Sequence, residues 1–175
     1  MPSSCKRPLD IGVIMDRSGS VGSQNFDQAK DFVISLVHKL QISSHGTRIG
    51  IIPYHSSAQV SVRFSDVQHQ TPDAMTKLIQ GIQYTSGNTR TDIAIELANS
   101  QLFSSAGGMR SDKPNVLIVM TDGKTNHGSK AYKIVLEPLK VRYWETHAAL
   151  SEVLLVLCCT LILNLSQEEK QMAFQ

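Results

Sequence analysis

The chain has 175 residues, 41% of them apolar and 18% charged, enough for one domain with a sizeable core and too few for two comfortable ones. Its 17 Lys and Arg oppose 15 Asp and Glu for a net charge of +2 and lie scattered, which argues against a nucleic-acid stripe or a polybasic membrane patch. Three cysteines, Cys5, Cys158 and Cys159, cannot build a disulfide framework, and the odd count leaves at least one thiol free or paired outside the chain.

Residues 1–8 read as a flank with basic residues but no apolar stretch of the kind a secretory signal needs. That predicts either an intracellular protein or a fragment whose export signal lies elsewhere. Residues 9–15 follow as a nearly continuous apolar run, the pattern of a strand covered on both faces in a parallel sheet. Phe26, Ala29, Val33, Leu36, Val37 and Leu40 then recur at three- and four-residue intervals, which gives one apolar stripe on a helix of about five turns. Ser23 or Asn25 is the expected cap at its start.

RIGIIPY is a second buried-type run. AQVSVRF alternates Val60, Val62 and Phe64 with polar residues, as a half-exposed edge strand does. Thr71-Pro72-Asp73 carries helix-start chemistry, with Ala74, Leu78 and Ile82 as the stripe behind it. YTSGNTRT reads as a loop, and a third helix is predicted from Asp92 through Leu102. NVLIVM is the most strand-like segment and stops at Thr121-Asp122-Gly123. Strands alternating with helices favour an α/β sheet with helices on both faces.

Residues 130–140 have helical patterning, strained at its end by Pro138. The apolar stretch over 153–165 is about thirteen residues, short of the roughly twenty that cross a bilayer as a helix. A buried strand or core helix is the better reading there. The expected organisation is a flank over 1–8, a core over 9–140, and an atypical segment over 141–175 that completes or truncates the fold.

In open α/β sheets, ligands gather at the carboxyl ends of strands. Asp16 follows the first strand, Asp122 follows NVLIVM, and SGNTRTD brings Thr89 to the head of a helix. Along an extended turn, alternate residues face the same way, so Asp16, Ser18 and Ser20 converge while Arg17 points away. Gly19 and Gly22 permit the curl. Carboxylates and hydroxyls are hard donors suited to magnesium, manganese or calcium, and a set with only two acids fits a small octahedral ion that keeps waters. Mg²⁺ is the expected ion, with Mn²⁺ as a substitute. No His or Cys joins the set, which argues against zinc.

The succession DRSGSVG, GNTRT and VLIVMTDG resembles the von Willebrand factor type A domain with its metal-ion-dependent adhesion site. Matched position by position, Asp16, Ser18 and Ser20 fall on the Asp-x-Ser-x-Ser motif, Thr89 on the first threonine of the TxT loop, and Asp122 on the acid of TDG. The resemblance covers roughly residues 9 to 130. It implies a three-layer, Rossmann-like fold with a mostly parallel sheet, one antiparallel edge strand and helices on both faces, the C-terminal strands being missing or replaced here. It further implies an extracellular adhesion module with no catalytic step, whose cation takes an Asp or Glu of a protein partner such as a matrix protein or collagen.

Arg17, Arg90 and His127 are candidates for the partner-facing rim. Pro53 departs from the family pattern because its missing N–H costs a ladder bond inside a sheet. Asp92 adds a negative charge beside the site or caps the third helix. Two alternatives stay open: an intracellular scaffold domain, and a Mg²⁺-dependent phosphoryl-transfer enzyme with Asp16 as nucleophile. Enzymes of the latter kind generally place a second acid two residues later, where this chain has Ser18, and no phosphate loop or nucleophile elbow occurs.

Overall fold

The computed structural model describes residues 8–122. Three parallel strands, β1 (Asp10–Asp16), β2 (Arg48–Tyr54) and β3 (Asn115–Met120), form a sheet in the order β2-β1-β3. Helices α1 (Gly22–Leu40), α2 (Pro72–Gly81) and α3 (Thr91–Leu97) connect and cover them. Apart from the AQVSVRF segment, the strand-to-helix order and the two-faced cover are those predicted.

Two cores share the sheet because strand side chains alternate. Ile11, Val13, Met15, Ile49, Ile51, Ile118 and Met120 pack with Phe26, Val33, Val37, Met75 and Ile79 of α1 and α2. Ile14, Ile52, Tyr54, Leu117 and Val119 pack on the other face with Ala94, Ile95, Leu102 and Phe103. The strands are buried on both sides and therefore read as unbroken apolar runs. On the second face Gly12 and Gly50 admit close packing. A Cβ at Gly12 would sit 2.7 Å from the Phe103 ring, and one at Gly50 would sit 2.3 Å from Leu102.

The outer edge of β2 explains both Pro53 and the fate of AQVSVRF. Ile49, Ile51 and Pro53 direct their backbone groups away from β1. The Gln70 side chain binds both backbone groups of Ile49, at 2.9 Å each. The Ile51 amide donates to Val62, and the Pro53 carbonyl accepts from Gln59. The proline thus lacks its N–H on the side that β1 does not use, which is where a strand tolerates it. The 58–62 segment lies along this edge, as expected of an edge strand, and runs antiparallel, but it touches β2 only through isolated bridges, Ile51 with Val62 and Tyr54 with Ala58. Gln70 occupies one end of that edge and proline removes a donor from the other, so no continuous ladder forms.

Helix starts differ in one respect from expectation. Thr71 does cap α2, accepting from the Ala74 amide at 3.4 Å. Helix α1, however, begins at Gly22, after Val21, with no side-chain cap, and Asn25 instead donates to the Val21 carbonyl. The reason is Gly22, whose φ of +76° turns the chain directly from the β1 loop into the helix. The third helix converts after Leu97 into a π-turn over Ala98–Leu102, which carries Leu102 onto the sheet.

At the amino end of the sheet the fully buried Asp10 meets two arginines. Arg48 binds both its oxygens at 2.9 and 2.7 Å, and Arg110 does so through its side chain at 2.7 Å and its backbone amide at 2.9 Å. Arg110 also reaches the carbonyls of Leu9 and Gly46, and so ties the chain leading to β3 to the starts of β1 and β2. No helix among the described residues is long and apolar enough to cross a membrane. The cysteines, the 130–140 helix and the apolar 153–165 stretch lie outside the described residues.

Removing one member of a buried, fully bonded ion cluster leaves the others uncompensated. Asp10→Ala is expected to cost about 3–5 kcal/mol of folding stability, read as a lowered urea midpoint for the full chain.

Candidate metal centre

β1 ends in Asp16, and the chain then curls over its own end. The Ser18 amide donates to Asp16 Oδ1 at 2.9 Å, which closes a tight turn and sets both serine hydroxyls on its inner side. Ser18 Oγ lies 3.1 Å from Ser20 Oγ. Thr89 Oγ1 donates to Ser18 Oγ at 2.9 Å and lies 3.3 Å from Ser20 Oγ. Three hydroxyls from two loops separated by about seventy residues therefore form a closed triangle.

The loops are fixed by their backbones. The Gly19 amide donates to the Gly87 carbonyl at 2.9 Å, the Arg17 amide to Tyr54, and the Arg90 amide to His55. Gly87 has a φ of +116°, and a Cβ there would stand 2.9 Å from Ser56 Oγ and 3.0 Å from His55 Nδ1. Only glycine suits that position. The 87–91 loop is thus held against the 16–20 turn on one side and the end of β2 on the other.

Asp16 itself is 3% exposed. Its Oδ2 accepts from Thr121 Oγ1 at 2.8 Å and from Tyr54 Oη at 3.0 Å, and Tyr54 in turn shares a 2.6 Å hydrogen bond with Thr91. These donors are neutral. No Lys, Arg or His side chain among the described residues is bonded to Asp16, unlike Asp10 at the other end of the strand. Burial therefore lifts the Asp16 carboxyl above its ordinary range, with the bonds from Ser18, Thr121 and Tyr54 only partly opposing it. Tyr54 is driven above the phenol range by burial and by the Asp16 charge.

The other positions singled out by sequence fall as follows. Asp122 stands half-buried, one residue beyond Thr121 at the same edge of the sheet. Arg17 points away from the hydroxyls, as its alternation requires, and donates to the Gln83 carbonyl at 3.1 Å. Arg90 and Asp92 form a bidentate pair at 2.9 and 3.0 Å, so the acid's charge is balanced next to the site by its own neighbour. His127 lies outside the described residues.

Sequence reasoning passed over Tyr54, Thr91 and Thr121, the layer that holds Asp16. Each sits next to a motif residue or at the end of a predicted strand, so position was available as a signal. Their use as donors depends on the registers Asp16 with Tyr54 and Met15 with Met120.

The buried acid, with no cationic side chain bonded to it among the described residues, and the hydroxyls gathered beside it are a hard-oxygen donor set, and they fit a divalent ion that retains waters. Comparison with known proteins finds relatives of this chain. The von Willebrand factor type A domain profile matches residues 10–147. Matrilin-1 of Gallus gallus is 37% identical over 125 residues, 70% of this chain and 25% of that protein. The collagen alpha-1(XXI) chain of Xenopus laevis is 33% identical over 131 residues, 73% of this chain and 13% of that one. Proximal thread matrix protein 1 of the mussel byssus, solved with a zinc-occupied MIDAS motif, superposes with a TM-score of 0.74 at 24% identity, covering 87% of this chain and 38% of that one. The chain thus spans a quarter or less of the length of these two curated relatives.

A raised carboxyl makes the folded chain hold its proton more tightly than the unfolded chain does. Metal-free stability therefore falls as pH rises from the unfolded carboxyl range through the raised one, and the penalty is fully present at neutral pH. Asp16→Asn removes it. In EDTA at pH 7 this variant is expected to melt above the parent, because the buried charge that opposes folding is gone. By calorimetry the gap should close below the unfolded carboxyl range.

Proposed function

The chain belongs to the von Willebrand factor type A domain family, and from that premise we propose that its upper rim is a metal-ion-dependent adhesion site that binds an acidic side chain of a protein partner. Asp16, Ser18, Ser20, Thr89 and Asp122 are the proposed ligands, direct or through water. The single observation that carries the reading is the buried Asp16 carboxylate, surrounded by neutral donors and set against a triangle of hydroxyls.

Each part of the chain has a stated task in this reading. Tyr54 and Thr121 fix one oxygen of Asp16, and Ser18 N–H fixes the other. The hydroxyls of Ser18, Ser20 and Thr89 give oxygen contacts without adding negative charge. A divalent ion held there supplies an electron-poor point that attracts an incoming Asp or Glu. Only 3% of Asp16 and none of Ser18 is exposed, whereas Ser20 faces solvent, so a partner approaches from the Ser20 side. No bond of the partner is broken.

Mg²⁺ is the proposed ion, with Mn²⁺ or Ca²⁺ as substitutes; zinc at the motif of the mussel protein makes Zn²⁺ the competitor to test. The collagen chain and the thread matrix protein are matrix components by name, which supports an extracellular setting and a matrix partner for this chain. We also propose that residues 9–140 form the core of the binding domain, with 141–175 an atypical segment that completes or truncates it.

Calorimetric titration of the full chain with Mg²⁺, Mn²⁺, Ca²⁺ and Zn²⁺ tests the site. Asp16→Ala is expected to weaken Mg²⁺ by more than about a hundredfold, above what loss of an outer-shell group costs, while the far-ultraviolet dichroism is retained. Mg²⁺ affinity equal to the parent's in that variant would refute the ligand assignment.

A further inference from the structure

Beside the metal centre, Arg17 leads into an open cleft of about 490 Å³ between the 59–61 segment and the carboxyl end of α2. Its floor and walls include Pro53, Val60, Leu78 and Ile82, and Lys77 stands on its lip. Two cations line it, and no acidic residue among the described residues does. Arg17 is half-buried, its one guanidinium bond is to a neutral carbonyl, and its Nε is buried with no hydrogen-bond partner. A guanidinium in that state has lost water without gaining a counter-charge, so an anion brought into the cleft is favoured.

We propose that this cleft is a second docking site, which takes a further acidic side chain of the same protein segment whose first carboxylate is bound at the metal centre. The proposal rests on the adhesion reading above. Contiguity supports it: Arg17, which lines the cleft, lies between Asp16 and Ser18 in the turn that carries the hydroxyls. The chemistry of the walls selects the partner class. Two cations set among neutral polar side chains such as Gln59 and Gln83 and aliphatic ones such as Val60 and Leu78 suit an acidic peptide, whereas a sulfated polysaccharide is held by longer runs of basic residues. The expected binding sequence therefore carries two acids a short distance apart.

The test uses the full chain and fluorescein-labelled hexaglutamate, read by anisotropy in Mg²⁺ and in EDTA. Two variants alter exposed residues of the cleft away from the proposed ligands. Lys77→Gln is expected to weaken the peptide about threefold, as for one solvent-exposed ion pair. Ser61→Glu, which sets a like charge in the cleft, is expected to weaken it about tenfold. Both should bind Mg²⁺ as the parent does, and both should reduce the binding that persists in EDTA. Unchanged peptide affinity in the two variants overturns the proposal, as does absence of hexaglutamate binding to the parent. A heparin tetrasaccharide that outcompetes the peptide and shows the same sensitivity to the two variants overturns the choice of peptide. Failure of the metal reading has a separate signature: no Mg²⁺ heat in the parent, with both variants still weakening the metal-free peptide complex.

Discussion

The constraint on which the structure turns is that the central strand buries a carboxylate at each end and treats the two differently. A buried charge costs several kcal/mol unless paired and hydrogen-bonded. Asp10 is met by two arginines that satisfy both its oxygens and also tie together three segments of backbone. Asp16 is met by a threonine, a tyrosine and a backbone amide, all neutral. One end of β1 is electrostatically closed and serves stability. The other is bonded for orientation but, among the described residues, has no positive side chain bonded to it, which is the condition that attracts a cation. Six residues at about 3.3 Å per residue place the two ends roughly 20 Å apart, so each operates in its own surroundings.

What holds the rim is mostly backbone and packing below it. Parallel pairing brings the ends of β1, β2 and β3 to one edge, and the turn after β1 joins the 87–91 loop through the Gly19 amide and the Gly87 carbonyl. Tyr54 extends this rigidity to the other core, because its ring is buried with Phe64 and Ala94 while its hydroxyl touches Asp16. Positions of ligands set on such elements are more exact than those on free loops. The cleft beside Arg17 uses the same frame. Its floor includes Pro53, which lacks an N–H on the edge where the 58–62 segment makes only isolated bridges.

Much of this was legible in the sequence because it rests on local periodicity. The apolar runs gave all three strands, and the i, i+3, i+4 spacing gave α1 with Phe26, Val33 and Val37 inward. Asp16, Ser18, Ser20 and Thr89 were readable as a group because alternation in a turn and strand-end placement are geometric consequences of residue order. Where the reading went astray, the cause was a tertiary contact. Alternation in AQVSVRF suggested a continuous edge strand, yet Gln70, about ten residues further on, takes up part of the edge it would have used. The caps Ser23 and Asn25 lost to the positive φ of Gly22, which starts the helix earlier. Tyr54, Thr91 and Thr121 escaped notice since nothing local says that a hydroxyl from one strand end meets a carboxylate from another. Asp92 looked like an added charge, and only the structure pairs it with Arg90.

The central claim is that the cation belongs at the Asp16 end of β1 and nowhere else along it. Manganese titrated into isotopically labelled full chain, with amide resonances followed by NMR, tests this directly, because paramagnetic broadening marks residues near the bound ion. Amides of residues 16–20, 87–91 and 120–122 should vanish at the lowest manganese concentrations, while those around Asp10, Arg48 and Arg110 persist. Broadening centred on the Asp10 end, or spread evenly over surface acids such as Asp27 and Asp73, would contradict the account.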